Sequence, residues 1–278
     1  MRSLLLPHFI IIGAMKSGTT ALYRYCSSHP KIEMSRDKEP DFFIFQKNWG
    51  RGFNWYSAQF KRADAIRGEA SPNYSKSRDF AGVAQRIAQT LPEARLIYIV
   101  REPIKRAEAQ YRHGVLHGVL TDEKEIAPGH QEYEHILDTS RYGKQLSAYL
   151  EQFPADAILV LDFDDLVSDS QSVMDRVFDH IGVAPWKIEA TGAVNKSAEL
   201  ARVPAPVLAM AQSQFGKSVA RLIGRETRDG IRRILAQGEG RKAEPFPDNI
   251  KADLRDDLSD DIAAFRKMTG LKFASWSI

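Results

Sequence analysis

Short unbroken apolar runs alternate along this chain with stretches whose apolar positions recur every three or four residues. The unbroken runs are Phe9–Gly13 (FIIIG), Arg95–Val100 (RLIYIV) and 157–161 (AILVL). Runs of this length, rich in Ile, Val and Leu, read as strands buried on both faces. Thr19–Ser28 reads as a helix closed by His29, and 79–91 sets Phe80, Val83, Ala84, Ile87 and Leu91 on one helical face. Pro103 suits the first turn of a helix running to about His117, and 141–153 forms another. Residues 120–130 are polar, hold Pro128-Gly129 and read as a loop. Beyond Asn195 the pattern is helical. Strand–helix–strand order with doubly buried strands predicts an α/β fold. The expected architecture is one domain over 1–278, with a central parallel sheet flanked by helices and a helical C-terminal part.

Composition narrows the function. Of 278 residues 43% are hydrophobic and 27% charged, which is ordinary globular usage and excludes disorder and low-complexity polymers. A net charge of +3 is too small for a dedicated nucleic-acid binder. Cys26 is the only cysteine, so neither an intrachain disulfide nor a cysteine zinc site can form, and a reducing, cytoplasmic setting is expected. Pro7 and His8 interrupt the apolar start before it resembles a signal peptide, and no apolar stretch nears the about 18 residues of a membrane span. Residues 215–242 carry eight Lys/Arg against three acids, which reads as a solvated basic face, with a patch for an anionic ligand as the alternative.

The densest chemical signal is FIIIGAMKSGTTAL, residues 9–22. A buried strand ends at Gly13, small residues turn, and a helix opens at Thr19 or Thr20. That geometry aims backbone N–H groups and the positive end of a helix dipole at one point, which is an anion site. Lys16 adds a charge, and Ser17, Thr19 and Thr20 add hydroxyl donors around Gly18. The nucleotide-triphosphate loop G-x-x-x-x-G-K-[ST] is not matched, because Thr19 stands where the lysine belongs and the lysine lies inside the loop.

The run Lys16-Ser17-Gly18-Thr19-Thr20 after an apolar strand resembles the 5′-phosphosulfate loop of sulfotransferases that use 3′-phosphoadenosine 5′-phosphosulfate, PAPS. The ordered companions strengthen the resemblance. Arg101-Glu102-Pro103-Ile104-Lys105-Arg106 resembles the R-x-P-x-x-R element for the nucleotide 3′-phosphate. Lys38-Glu39-Pro40-Asp41-Phe42-Phe43 is similar to K-E-x-H-F-F of glycan-type and bacterial members. Gly68-Glu69-Ala70-Ser71-Pro72-Asn73-Tyr74 is similar to G-E-x-[ST]-P-x-Y. Asp164-Asp165-Leu166 and the terminal stretch 271–276 also fit, and Glu239-Gly240-Arg241-Lys242 is similar to a K-G-R loop that closes over PAPS.

The resemblance implies a P-loop-like scaffold and sulfuryl transfer from PAPS, leaving PAP, to an acceptor hydroxyl on a carbohydrate or other small alcohol. No metal is required. It makes Lys16 and Glu39 catalytic, with Lys16, Ser17, Gly18, Thr19, Thr20, Arg101 and Arg241 binding the nucleotide. Asp41 replaces the family's histidine and is a rival base; on an extended segment it would share a side with Glu39. Ala70 stands where some members carry a second catalytic lysine. Ala109 stands where the family has a serine donor to the 3′-phosphate.

Other readings of the residues stay open. A kinase or NTPase would use the glycine loop with Asp162, after the third apolar run, as a magnesium-holding acid. A non-catalytic nucleotide- or sulfate-binding module would also fit. His113 and His117, four apart on one helix, could share a metal but read better as solvent-facing or packed residues, and Cys26 as a packed one.

Overall fold

A computed structural model of the chain describes residues 4–116, 120, 126–189 and 246–278. It falls into two compact units. One comprises Met1–Arg106, Leu137–Ala190 and Leu254–Ile278; the other comprises Ala107–Ile136 and Thr191–Asp253.

The first unit is built on a parallel five-stranded sheet. Its strands are β1 (Phe9–Gly13), β2 (Ile32–Met34), β3 (Ile66–Ala70), β4 (Arg95–Val100) and β5 (Ile158–Asp162), in the order β2-β3-β1-β4-β5. Central β1 sets Phe9 against Gly68 on one side and Arg95 on the other. The helices are α1 (Thr19–Ser28), α2 (Gly52–Ser57), α3 (Val83–Thr90), α4 (Pro103–Leu116), α5 (Gln131–Ser140), α6 (Tyr142–Leu150), α7 (Phe163–Ser168), α8 (Ser170–His180) and α9 (Asp248–Thr269). α4, α5 and α9 each have residues in both units.

The apolar runs become the core as their pattern requires. Phe9, Ile11, Ile97, Ile99 and Leu161 form one buried face with Leu22 and Cys26 of α1 and Val173, Met174, Val177 and Phe178 of α8. Burial raises the Cys26 thiol to about 12, so it packs as a small hydrophobe. On the opposite face Tyr98 meets Tyr142 and Phe265 edge-on, and Phe265 stacks on Phe273 and Trp276.

Three differences from the sequence expectation have local causes. β2 and β3 are additional strands. β2 has only three residues, and β3 (IRGEA) carries Arg67 and Glu69 inside the protein, so neither reads as an apolar run. The helix expected over 79–91 starts only at Val83, because Gly82 takes φ +72° ahead of it and Lys76 O accepts the amides of Asp79 and Phe80. The third apolar run forms a strand one residue later, since Ala157 closes a 3₁₀ turn over Ala155–Ala157.

In the second unit, Tyr111 and Phe246 bring ring centroids to 5.3 Å, and Lys251 Nζ lies 3.3 Å from Glu108. The basic stretch 215–242 with Arg241, most of the helical pattern after Asn195, His117 and much of the loop 120–130 lie outside the described residues.

Candidate active site

Strand order fixes where a ligand would sit. From β1 the chain crosses to β2 on one side of the sheet, and from β4 to β5 on the other, so β1 and β4 flank the topological switch point. Open α/β sheets take ligands outside the carboxyl ends of such strands. Two of the sequence candidates, the glycine loop and the Arg101–Arg106 run, follow β1 and β4 directly.

The loop after β1 is tightly specified. Ala14 N–H donates to Ile99 O at 2.5 Å, and Ser17 N–H to Ala14 O at 3.2 Å. Gly18 caps α1 in the left-handed region at φ +95°, and a Cβ there would stand 2.7 Å from the Phe163 ring, so only glycine serves. Its carbonyl accepts from Ala21 and Leu22. The first-turn amides of α1 therefore open toward the loop. Ser17 and Thr19 are buried, while Thr20 is exposed.

Lys16 is the loop's cation and holds φ +66°, an uncommon conformation for a non-glycine residue that costs about 1 kcal/mol or more. It is half-buried, and burial lowers its ammonium to about 8, with Glu39 pulling the other way and Lys38, Lys76 and Arg106 adding repulsion. It forms no ion pair among the described residues.

After β4, the Arg101 guanidinium lies 4.8 Å from the Phe163 ring centroid, and its Nε is buried without a hydrogen-bond partner. Tyr142 OH donates to Arg101 O at 2.7 Å. Glu102 caps the start of α4 by accepting Lys105 N–H at 2.6 Å, and it accepts Ser277 Oγ at 2.8 Å. Arg106 is completely buried and donates from Nε to Ser140 Oγ at 2.7 Å. Ala109 lies farther along α4.

The two acids of the Lys38–Phe43 stretch part company. Glu39 is exposed, pairs with Lys38 at 2.5 Å and lies in the field of Lys16. Asp41 is buried; its Oδ2 accepts from Lys47 Nζ at 2.5 Å and from Asn73 Nδ2 at 2.9 Å. The expectation that both face one side fails because the segment is not extended: Asp41 takes φ +47°. Asp41 holds its own loop through Oδ2, with Oδ1 buried and without a hydrogen-bond partner among the described residues, whereas Glu39 is exposed and pairs with Lys38 through Oε1.

Glu69 was legible only as part of a motif. It is wholly buried and accepts from Tyr56 OH, from Ser71 Oγ at 2.8 Å and from Tyr74 OH at 3.0 Å. Desolvation pushes its carboxyl up to about 7 against those three hydroxyls. The same hydroxyls reach the Glu39 loop: Asp41 N–H donates to Ser71 Oγ and Phe43 N–H to Tyr74 OH. Asp162 is also committed, accepting from Asp164 N–H at the start of α7 and from Trp276 Nε1 at 3.2 Å. That arrangement docks the terminal stretch 271–276.

The model of the sulfotransferase domain family matches residues 6–199. A bifunctional heparan sulfate N-deacetylase/N-sulfotransferase 4 of Mus musculus is 30% identical over 200 residues, covering 65% of this chain and 23% of that protein. The membrane-associated sulfotransferase kil1 of Dictyostelium discoideum is 36% identical over 117 residues, 40% of this chain and 24% of its own length. This chain thus aligns with less than a quarter of either relative. A sulfotransferase from Alicyclobacillus acidocaldarius superposes with a TM-score of 0.69 at 21% identity, over 98% of this chain and 99% of that one. No described helix is long and apolar enough to cross a membrane.

Proposed function

The chain belongs to the sulfotransferase domain family, and from that premise we propose that it moves a sulfuryl group from PAPS to an acceptor hydroxyl on a carbohydrate or other small alcohol. The reading treats 1–278 as a single sulfotransferase domain working in a reducing compartment, as the buried single thiol Cys26 suits. One observation carries it. Just past the two strands that flank the switch point stand a half-buried lysine and an arginine with a buried Nε, the first without an ion pair and the second without a hydrogen-bond partner among the described residues. A donor with anionic groups at both ends satisfies both.

In this reading Lys16, the first-turn amides of α1 and the hydroxyls of Ser17, Thr19 and Thr20 hold the 5′-phosphosulfate around Gly18. Arg101 holds the 3′-phosphate, and Arg241 is a further phosphate ligand. Transfer breaks the bond from sulfur to the bridging oxygen, which keeps the electron pair, and forms one from sulfur to the acceptor oxygen. Lys16 neutralises the charge that grows on the bridging oxygen. Glu39 takes the acceptor proton. Lys16, Arg101 and Glu39 supply the charges these steps need, so the scheme needs no metal.

The test is calorimetric titration of PAP without magnesium, followed by an acceptor screen with labelled PAPS. Micromolar PAP binding and label transfer to a hydroxyl are expected. Stabilisation by ATP with magnesium and none by PAP would return the kinase reading.

A further inference from the structure

A second buried lysine stands beside Lys16. Lys76 follows the 3₁₀ turn Pro72–Ser75 at the carboxyl end of β3, and that turn is pressed onto the start of the phosphate loop. A Cβ on Gly13 would lie 2.0 Å from Ser75 Oγ, so the glycine that ends β1 is what lets the two segments meet. The Lys76 backbone is fixed by its carbonyl, which accepts from Asp79 N–H at 3.1 Å and Phe80 N–H at 2.9 Å. The residue is only 6% exposed.

Its surroundings do not neutralise it. Lys76 forms no ion pair among the described residues. Burial lowers its ammonium to about 8; Asp79 and, more weakly, Asp41 pull it up, while Arg106 and Lys47 push it further down. Lys16 feels Lys76 and Arg106 as repelling charges in turn. Asp41, the nearby buried acid, binds Lys47 and Asn73 through Oδ2, and its Oδ1 makes no hydrogen bond to Lys76 or to any other described residue. Gathering three buried or half-buried cations this way is unfavourable in the free protein, and an anion placed among them reverses the sign. A lysine kept for packing or for one structural ion pair has no need of this arrangement.

The position also says which part of the anion it meets. The turn that Lys76 follows meets the start of the phosphate loop through Ser75 and Gly13, and the loop of Glu39 and Asp41 through Asn73, whose Nδ2 donates to Asp41 Oδ2 at 2.9 Å, so Lys76 leaves that turn between the two loops. In the reading given above Lys16 serves the leaving phosphate and Glu39 the acceptor, and the group in transit passes between them. We propose that Lys76 is a second catalytic cation, contacting the sulfuryl oxygens during transfer and not the phosphates of the nucleotide. This assignment rests on the sulfotransferase reading given above. It places a lysine in the site by tertiary packing although Ala70, on β3, offers none.

The experiment compares wild type, Lys76→Met, Lys76→Arg and Lys16→Ala. Each is titrated with PAP by calorimetry and assayed for PAPS cleavage with water as acceptor, which needs no knowledge of the natural one. Lys76→Met is expected to slow cleavage about 10²-fold, in the range of one lost transition-state donor, with PAP affinity within about threefold of wild type. Lys76→Arg should recover part of the rate, since charge is kept and shape is not. Melting temperature at pH 7 should hold or rise, because a buried, unpaired charge is removed; Lys76→Gln carries the same test should the methionine variant not fold. Cleavage within threefold of wild type, or PAP affinity falling as far as the rate, overturns the assignment of Lys76 alone. A wild-type protein that neither binds PAP nor cleaves PAPS overturns the donor reading and this assignment with it.

Discussion

Glu69 accepts a hydrogen bond from Ser71 at 2.8 Å, and the same serine oxygen accepts the Asp41 amide at 3.1 Å, so a buried carboxylate fixes the loop that carries Glu39 through one hydroxyl. Tyr74 repeats the device toward Phe43, and Phe42 stacks on Tyr56, the third donor to Glu69, with centroids 4.1 Å apart. The loop beside Lys16 is therefore held by polar contacts at its flanks and by ring packing beneath. The acid at its tip is exposed and pairs with Lys38 through Oε1.

Glu69 makes stability depend on pH. Its carboxyl sits at about 7 in the fold, raised mainly by desolvation, against an ordinary value of 4.5. The folded state then holds a proton that the unfolded chain releases between those values, so the contribution is complete below 4.5 and is lost as pH rises through 7. Tyr56, Ser71, Tyr74 and Asp41 are the groups facing it. Urea unfolding of wild type and Glu69→Gln at pH 5 and pH 8 should show wild type losing ground to the variant at the higher pH. Parallel behaviour at the two pH values would contradict the raised carboxyl.

Lys16 has the opposite signature. Its ammonium is lowered to about 8 by burial, from an ordinary 10.5. A depressed lysine costs folding stability fully below 8, and the cost fades as pH climbs toward 10.5. Lys16→Met should therefore melt a few degrees higher than wild type at pH 7, while turnover falls by about 10²–10³. An arriving phosphosulfate or phosphate raises the ammonium again. PAP binding at pH 8.5 should thus take up a fraction of a proton, and at pH 6.5 almost none, as read from calorimetry in buffers of differing ionisation enthalpy. Equal uptake at both values would place the titrating group elsewhere.

Arg101 should show its role by comparison of two ligands. Among the described residues its buried Nε has no hydrogen-bond partner, and its guanidinium lies over the Phe163 ring. A charge-assisted bond to a phosphate contributes about 1.5–3 kcal/mol, or roughly tenfold to more than a hundredfold in affinity. Arg101→Ala should lose that factor for PAP. Adenosine 5′-phosphosulfate, which lacks the 3′-phosphate, should lose far less. Equal losses would mean that Arg101 supports the site without touching the 3′ end.

Much of this architecture was legible, and the gaps share a cause. β1, β4 and β5 announced themselves as apolar runs because both of their faces are covered. β3 did not, since its interior positions are Arg67, Gly68 and Glu69. Each is accommodated by a partner distant in sequence or by main chain. The Arg67 guanidinium donates to the carbonyls of Leu6, Arg62, Ala63 and Ala65. A Cβ on Gly68 would meet the Phe9 ring at 2.1 Å. Glu69 is satisfied by three hydroxyls. The same distinction runs through the site. Lys16 and Arg101 lie in contiguous motifs just after strands, where local order reveals chemistry. Lys76 sits in an unremarked polar run and gains its neighbours only when the turn after β3 meets Gly13. The Asp41–Glu39 relationship turned on a single positive φ, which an aspartate does not announce.

Glu39 and Asp41 can be separated by what each substitution leaves behind. Glu39 is exposed, and among the described residues it has only Lys38 as ion-pair partner and holds up no loop. Removing its basicity as Glu39→Gln should leave melting temperature and PAP affinity close to wild type. Turnover with the true acceptor should fall by about 10²–10⁴, the usual contribution of a positioned base. Asp41 is buried between Lys47 and Asn73, in a backbone conformation that aspartate tolerates better than most residues. Asp41→Asn trades the Lys47 ion pair for a neutral contact, so it should lower stability by about 1–3 kcal/mol. It should slow turnover only through a loosened loop, with a rate loss smaller than that of Glu39→Gln and an unchanged pH profile. Measuring melting temperature, PAP affinity and turnover on the two variants side by side decides the assignment. A stable Glu39→Gln protein with full turnover, beside a folded Asp41→Asn protein without any, would invert it and make Asp41 the base.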